Sequence, residues 1–136
     1  MKRFFFLLFF IVLLSMNFSC FQSTSNNSVV EVVSAEEMQE ITQLEDVQLV
    51  DVRSANKYES GFIANAQNID YLSPTFDEEI EKLDKSKPVV VYCEKGGRSA
   101  KCVEKMKDAG FIKIYELDGG IAKWKFKGYE VEETTP

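Results

Sequence analysis

Three valines and a tyrosine, Val89-Val90-Val91-Tyr92, follow Pro88 and constrain the chain more than any other stretch. The run is short, β-branched and apolar throughout, so it reads as a strand of a parallel sheet covered on both faces. Directly after it come Cys93, a turn holding Gly96 and Gly97, then Arg98 and the helix-forming Ser99-Ala100-Lys101-Cys102-Val103-Glu104-Lys105-Met106. Cys93 therefore falls where a strand ends and a helix begins. In open α/β sheets that edge binds ligands, and a helix start offers unpaired N–H groups with partial positive charge.

Such surroundings favour a thiolate, the reactive form of cysteine. Lys95, Arg98 and the amides of the turn are expected to surround one sulfur, with Gly96 and Gly97 taking up positive φ so that several N–H groups turn inward as an anion nest. Glu94 and Ser99 complete that cradle, although the Glu94 carboxylate opposes anion entry unless it points outward. The competing reading is an inert buried cysteine, which has no use for a flanking Gly-Gly-Arg. The chain contains no histidine, and this excludes a Cys/His protease, a Ser/His/Asp hydrolase and a His-containing zinc site. Cys20, Cys93 and Cys102 form no CxxC pair, so neither a thioredoxin-type dithiol nor a zinc ribbon fits, and no metal site is expected. What remains is chemistry that a pre-formed thiolate and hydrogen-bond donors accomplish without a neighbouring base.

The rest of the chain alternates strands with helices. Val29–Val33 reads as a strand, and Ser34-Ala35-Glu36-Glu37 as a capping box opening a helix to about Leu44. Val47–Val52 is the next strand and ends at Asp51 and Arg53, on the side expected for Cys93. The two either tie loops together or support the sulfur from behind, and Arg53 is also a candidate to guide anions. A short helix covers Ala55–Glu59. Pro74–Leu83 fits a helix with Phe76, Ile80 and Leu83 as its inward stripe. The helix after Cys93 runs to Ala109, stops at Gly110 and turns Ala100, Val103 and Met106 inward. Cys102 lies roughly 13 Å of helical rise from Cys93 and reads as packing. Ile112–Leu117 is a strand, and Gly119-Gly120 starts a last helix with Trp124 as core anchor. The spacing predicts one α/β domain over 29–133, with a parallel sheet of about four or five strands between helices.

Before the domain, Met1-Lys2-Arg3 and the apolar run Phe4–Leu14 form a charged segment and a hydrophobic segment too short to span a membrane. Residues 1–19 are expected to be an export signal. Ser19-Cys20 resembles a bacterial lipoprotein cleavage site, which makes Cys20 the lipidated first residue and places the protein in the cell envelope or periplasm, anchored to a membrane. Residues 20–28 then form a polar, flexible linker. Loss of residues 1–19 removes Lys2 and Arg3 and moves the formal charge from −6 to −8. A chain this acidic is not expected to bind nucleic acid.

The loop Cys93-Glu94-Lys95-Gly96-Gly97-Arg98-Ser99 resembles the C-x-x-G-x-R-S loop of the rhodanese-like (sulfurtransferase) domains. Leu49-Val50-Asp51-Val52-Arg53 with Tyr58, Gly61, Ile63, Ala66, Asn68 and Ile69 resembles their D-V-R…Y-x-x-G-x-I-x-x-A-x-N-I stretch. Ala109-Gly110-Phe111, Leu117–Trp124 and Gly128-Tyr129-Glu130-Val131 are similar to their closing segments. Lys57, Phe62 and Asn65 depart from the commonest pattern, where Glu, His and Gly are usual, and bear on the substrate and the shape of the entrance.

The resemblance implies a three-layer α/β/α rhodanese-like fold and sulfur transfer through a persulfide on Cys93, with no other cofactor. It implies a small anionic donor such as thiosulfate, and as acceptor cyanide, a small thiol or a partner protein's cysteine. Phosphatases built on the same loop place five residues between Cys and Arg. Four separate Cys93 from Arg98, a tighter cradle that suits sulfane sulfur over a phosphoryl group or an arsenate. The alternative from a different class is a membrane-tethered persulfide carrier, or a binding module for an envelope partner, without efficient turnover of small molecules.

Overall fold

Parallel pairing of five short strands organises the domain, which a computed structural model describes over residues 27–44 and 46–134. The expected export signal 1–19, Cys20 and linker residues 21–26 lie outside the described residues. β1 (Val29–Val33), β2 (Gln48–Asp51), β3 (Gln67–Asn68), β4 (Val89–Tyr92) and β5 (Lys113–Leu117) pair in the order β1-β5-β4-β2-β3, all parallel. β4 is the middle strand and all four of its residues are buried. That is why its sequence shows no polar alternation. Register sets Tyr92 beside Asp51 of β2 and Val91 beside Glu116 of β5, so three strands deliver their carboxyl ends to one place.

The helices are α1 (Ala35–Leu44), α2 (Ala55–Glu59), α3 (Phe76–Glu81), α4 (Gly97–Ala109) and α5 (Gly120–Phe126). α1 opens on the expected capping box: the Glu37 N–H donates to Ser34 Oγ (3.2 Å) and the Ser34 N–H to Glu37 Oε2 (2.7 Å). α1 and α5 bury Met38, Ile121 and Trp124 against Val90, Tyr92 and Leu117 on one face of the sheet. α3 and α4 bury Phe76, Ile80, Val103 and Met106 against Val89, Val91 and Ile114 on the other. The three-layer α/β/α architecture expected from sequence is the one observed.

Several local expectations differ. β3 has only two residues and was not anticipated. It exists as a ladder on Val50 and Asp51, and the Asn68 side-chain amide donates to the carbonyls of Asp51 (3.0 Å) and Arg53 (2.8 Å). α3 begins at Phe76 and not Pro74. The inward stripe of α4 is Ser99, Cys102, Val103 and Met106, whereas Ala100 is exposed. The shift of one residue places a hydroxyl, in place of a methyl, under the first turn. Gly96 has φ +111°, but Gly97 lies outside the left-handed region and is already helical.

α5 pins the segment between β4 and α4 by its backbone. Its Ile121 N–H donates to the Cys93 carbonyl (2.9 Å) and its Ala122 N–H to the Glu94 carbonyl (3.0 Å). Gly120 has φ +61°, and a Cβ there comes within 2.6 Å of the Glu94 carbonyl oxygen and closer still to that of Cys93. Gly120→Ala is expected to cost at least ~1–2 kcal/mol from the left-handed backbone alone, with the contact in addition. Urea unfolding checks this, and an unchanged midpoint contradicts so close an approach.

Candidate active site

Cys93 leaves β4 with its sulfur facing the start of α4. The Gly96 N–H donates to Sγ at 3.0 Å, and the Ser99 hydroxyl oxygen lies 3.6 Å away as acceptor of the thiol proton. The residue is 3% exposed. Burial alone pushes a thiol's pKa up. The amides of Ser99, Gly96 and Arg98 and the Ser99 hydroxyl outweigh it and hold Cys93 below the ordinary thiol value. The first-turn amides of a helix have no partner within the helix, so they are free to serve the sulfur.

A cavity of about 300 Å³ opens over the sulfur, lined by Cys93, Glu94, Lys95, Gly97 and Arg98 together with Arg53 and Lys57. Lys57, Lys95 and Arg98 are exposed and have no ion-pair partner among the described residues. Arg53 is different. It is 2% exposed, and its Nε and Nη2 donate to the Asp51 carboxylate at 2.6–3.1 Å. Nη2 also donates to the Gly61 carbonyl (2.7 Å), and Nη1 to Glu94 Oε2 (3.2 Å). Burial works against the Arg53 charge, and the hydrogen bonds and charge of Asp51, with help from Glu94, hold its pKa above the usual value. Its donors are thus committed inside the protein, and it ties loops together more than it offers an anion site. Glu94, half exposed, is paired rather than turned away from the cavity.

Of the loop residues, Glu94, Lys95, Gly97 and Arg98 line the cavity with Cys93, and Gly96 and Ser99 contact its sulfur. Asp51 stays behind, fully buried and off the cavity wall. Cys102 is fully buried under α4, and burial pushes its thiol up to about 12. Phe62 stacks on Tyr58 at 4.3 Å between ring centroids and Ile63 is core; both pack on the face of α1 and α5, away from the cavity. No group of three or more His, Cys, Asp or Glu able to hold a metal occurs among the described residues. A larger cavity of about 520 Å³ lies beside α1 and Trp124, lined among others by Leu49, Ile63 and Asn65, and no cysteine lines it.

Two further residues join the site: Lys57, which the sequence singled out as bearing on the substrate and the shape of the entrance, and Glu116, which it did not. Lys57 comes from α2 and lines the cavity, on the same sheet edge as Cys93. Glu116 accepts the Ser99 hydroxyl proton at 2.9 Å through Oε1. It shares a sheet face with buried Ile114, so a charge at that inward phase of β5 was the clue.

Residues 34–127 match the rhodanese-like domain. The chain belongs to the rhodanese-like family. It is 37% identical over 93 residues to the thiosulfate sulfurtransferase GlpE of Coxiella burnetii, covering 68% of this chain and 85% of that protein. It is 30% identical over 92 residues to the Shewanella oneidensis protein of the same name, covering 68% and 89%. Among solved structures it resembles a rhodanese-related protein from Thermoplasma volcanium, with a TM-score of 0.67, 30% identity, and 75% and 97% of the two chains covered. A rhodanese-like domain protein from Staphylococcus aureus aligns with a TM-score of 0.66 and 28% identity, covering 77% and 99%. The chain is accordingly a sulfurtransferase of the rhodanese type.

The ion-pair geometry separates two arginines of this rhodanese-like site. Arg53→Ala leaves the fully buried Asp51 carboxylate without its cation and is expected to cost about 3–5 kcal/mol of stability. Arg98→Ala, at an exposed position with no ion-pair partner among the described residues, is expected to change the urea midpoint little. Equal midpoints for the two variants contradict this assignment.

Proposed function

We propose that this rhodanese moves sulfane sulfur from thiosulfate, or a similar anionic donor, to a thiophilic acceptor through a persulfide on Cys93. The observation that carries the reading is the Gly96 N–H on a nearly buried Cys93 sulfur, beneath a cavity whose free charges are Lys57, Lys95 and Arg98. The Cys93 thiolate attacks the outer sulfur of thiosulfate. The donor's S–S bond breaks, sulfite leaves with the electron pair, and Cys93 carries an anionic persulfide. Cyanide or a thiolate then attacks the terminal sulfur, the new S–S bond breaks, and the Cys93 thiolate returns. No external oxidant or reductant enters, and no cofactor is needed beyond the persulfide.

Each cradle residue has a task in this cycle. The amides of Gly96, Arg98 and Ser99 hold the negative sulfur in both of its forms. Arg98, Lys95 and Lys57 hold the sulfonate end of the donor and the departing sulfite. Asp51 and Arg53 support the site from behind, Arg53 compensating Glu94 so that its carboxylate does not repel the donor.

Thiosulfate treatment is expected to add the mass of one sulfur to the purified protein, removable by cyanide, and Cys93→Ser to abolish both loading and turnover. Turnover of thiosulfate by Cys93→Ser defeats the reading. Lys57→Gln is expected to raise KM for thiosulfate several-fold with little change in kcat, and Arg98→Ala to lower turnover far more than its effect on stability. Wild-type protein that loads sulfur yet releases it to neither cyanide nor small thiols is a persulfide carrier for a partner protein.

The reading extends to the N-terminus. Residues 1–19 direct export to the cell envelope or periplasm, and Cys20 becomes the lipid-bearing first residue, with residues 21–28 as the tether; the support is the charged, apolar and Ser19-Cys20 pattern of the sequence. In a bacterial host the full chain is expected in the membrane fraction and Cys20→Ala in the soluble periplasmic fraction. A wild-type chain recovered in the cytoplasm overturns the assignment.

A further inference from the structure

The Ser99 hydroxyl is fully buried and has one proton, yet three acceptors surround it. Glu116 Oε1 lies at 2.9 Å, the Gly96 carbonyl at 3.0 Å and Cys93 Sγ at 3.6 Å. Of these Glu116 is an anion, it is half-buried, and no cation pairs with it among the described residues. A half-buried carboxylate with no cation beside it relies on hydrogen-bond donors to offset its lost hydration, and the Ser99 hydroxyl is such a donor. We propose that Glu116 is a positioning residue that tunes the Cys93 nucleophile through Ser99, its carboxylate competing with the sulfur for the single hydroxyl proton.

The physical consequence follows from charge. While Glu116 is ionised it draws the Ser99 proton toward β5, and the sulfur anion keeps the backbone amides but only a weak claim on the hydroxyl. A less stabilised thiolate is a stronger nucleophile: with a Brønsted slope near 0.4–0.5, each tenfold gain in thiol acidity lowers the intrinsic rate of the thiolate about threefold. Glu116 therefore trades thiolate population for reactivity. In a chain with no histidine, that trade is made by a carboxylate acting at one remove.

Other charges face the same sulfur and act alongside. Lys57 approaches from α2, Arg53 from the end of β2, and Glu94, Lys95 and Arg98 from the loop and the first turn of α4. Cys102, also on α4, is kept protonated chiefly by burial; Lys105 opposes this, and the charges of Cys93 and Glu116 add to it. None of these touches Ser99 Oγ by a hydrogen bond. Glu116 does, and this makes its influence separable.

The inference rests on Cys93 as the sulfur carrier, and its test is independent of any sulfur donor. The rate of Cys93 alkylation by iodoacetamide is followed against pH for the full chain with Cys20→Ala and Cys102→Ala in every protein. Glu116→Gln is expected to move the profile to lower pH and to lower its alkaline plateau two- to threefold. Ser99→Ala is expected to move the profile to higher pH, and adding Glu116→Gln to Ser99→Ala to displace it far less than in the parent. Glu116→Asp, which keeps the charge but withdraws the oxygen, is expected to shift in the same direction as Gln and serves if the Gln protein does not fold. An E116Q profile that coincides with the parent, or moves to higher pH as a loosened cradle would, overturns the proposal. So does a Glu116→Gln displacement undiminished on Ser99→Ala, which assigns the effect to the bare field. Failure of thiosulfate to load Cys93 while this coupling is present sinks the sulfur-transfer reading alone.

Discussion

The polarity of the backbone between β4 and α4 governs this molecule. Its carbonyls at Cys93 and Glu94 are taken by the first amides of α5, through Ile121 and Ala122. With those oxygens held outward, the following amides at Gly96, Arg98 and Ser99 are left to face the sulfur. An isolated loop has no reason to segregate its donors from its acceptors in this way. The segregation needs α5 to approach within hydrogen-bonding distance, and that approach leaves no room for a side chain at Gly120. A residue far along the sequence from the nucleophile thus decides whether the nest exists.

Charge around the nest is divided between fixed and free groups. The whole chain is acidic, with a formal charge of −6, so an anionic donor meets a protein that repels it at long range. The local balance is the opposite. Asp51 is neutralised inside the protein by Arg53, and Glu94 leans on the remaining guanidinium nitrogen. Lys57, Lys95 and Arg98 then stand over the cavity with no ion-pair partner among the described residues. Screening at physiological ionic strength limits the distant repulsion to about 8 Å, whereas contact with three cations inside the cavity is little screened. In the proposed cycle, attraction of the donor is therefore confined to close range.

Much of this was legible in the sequence because it is local. The buried β4, the Ser34–Glu37 capping box, the stop at Gly110 and the strand-to-helix position of Cys93 depend on neighbours within a few residues. What escaped is what tertiary contact creates. β3 is two residues whose only reason to be a strand is the ladder on β2. The phase of α4 differs by one residue, since Ala100 and Ser99 are equally plausible at an N-terminal turn until a carboxylate on β5 makes the buried hydroxyl favourable. Gly96 and Gly97 look alike in sequence, yet only the first needs its missing Cβ for a left-handed backbone. Glu116 joined the site only once β5 was seen to flank β4.

The absence of histidine is compatible with this chemistry for a reason of symmetry. In the proposed cycle the Cys93 thiolate is the nucleophile of the first half and the leaving group of the second, so neither half requires a proton to be moved at the sulfur. A general base gains nothing there, and one dominated by its own titration would only confine activity to part of the pH range. What the cycle does require is a sulfur neither so stabilised that it attacks slowly nor so exposed that it is a poor leaving group. Amide hydrogen bonds supply the first part of that balance, being fixed and insensitive to pH. The Ser99 hydroxyl, with its proton divided between a thiolate and a carboxylate, is the one donor in the nest whose contribution can vary, and the balance point of the reaction is therefore set there.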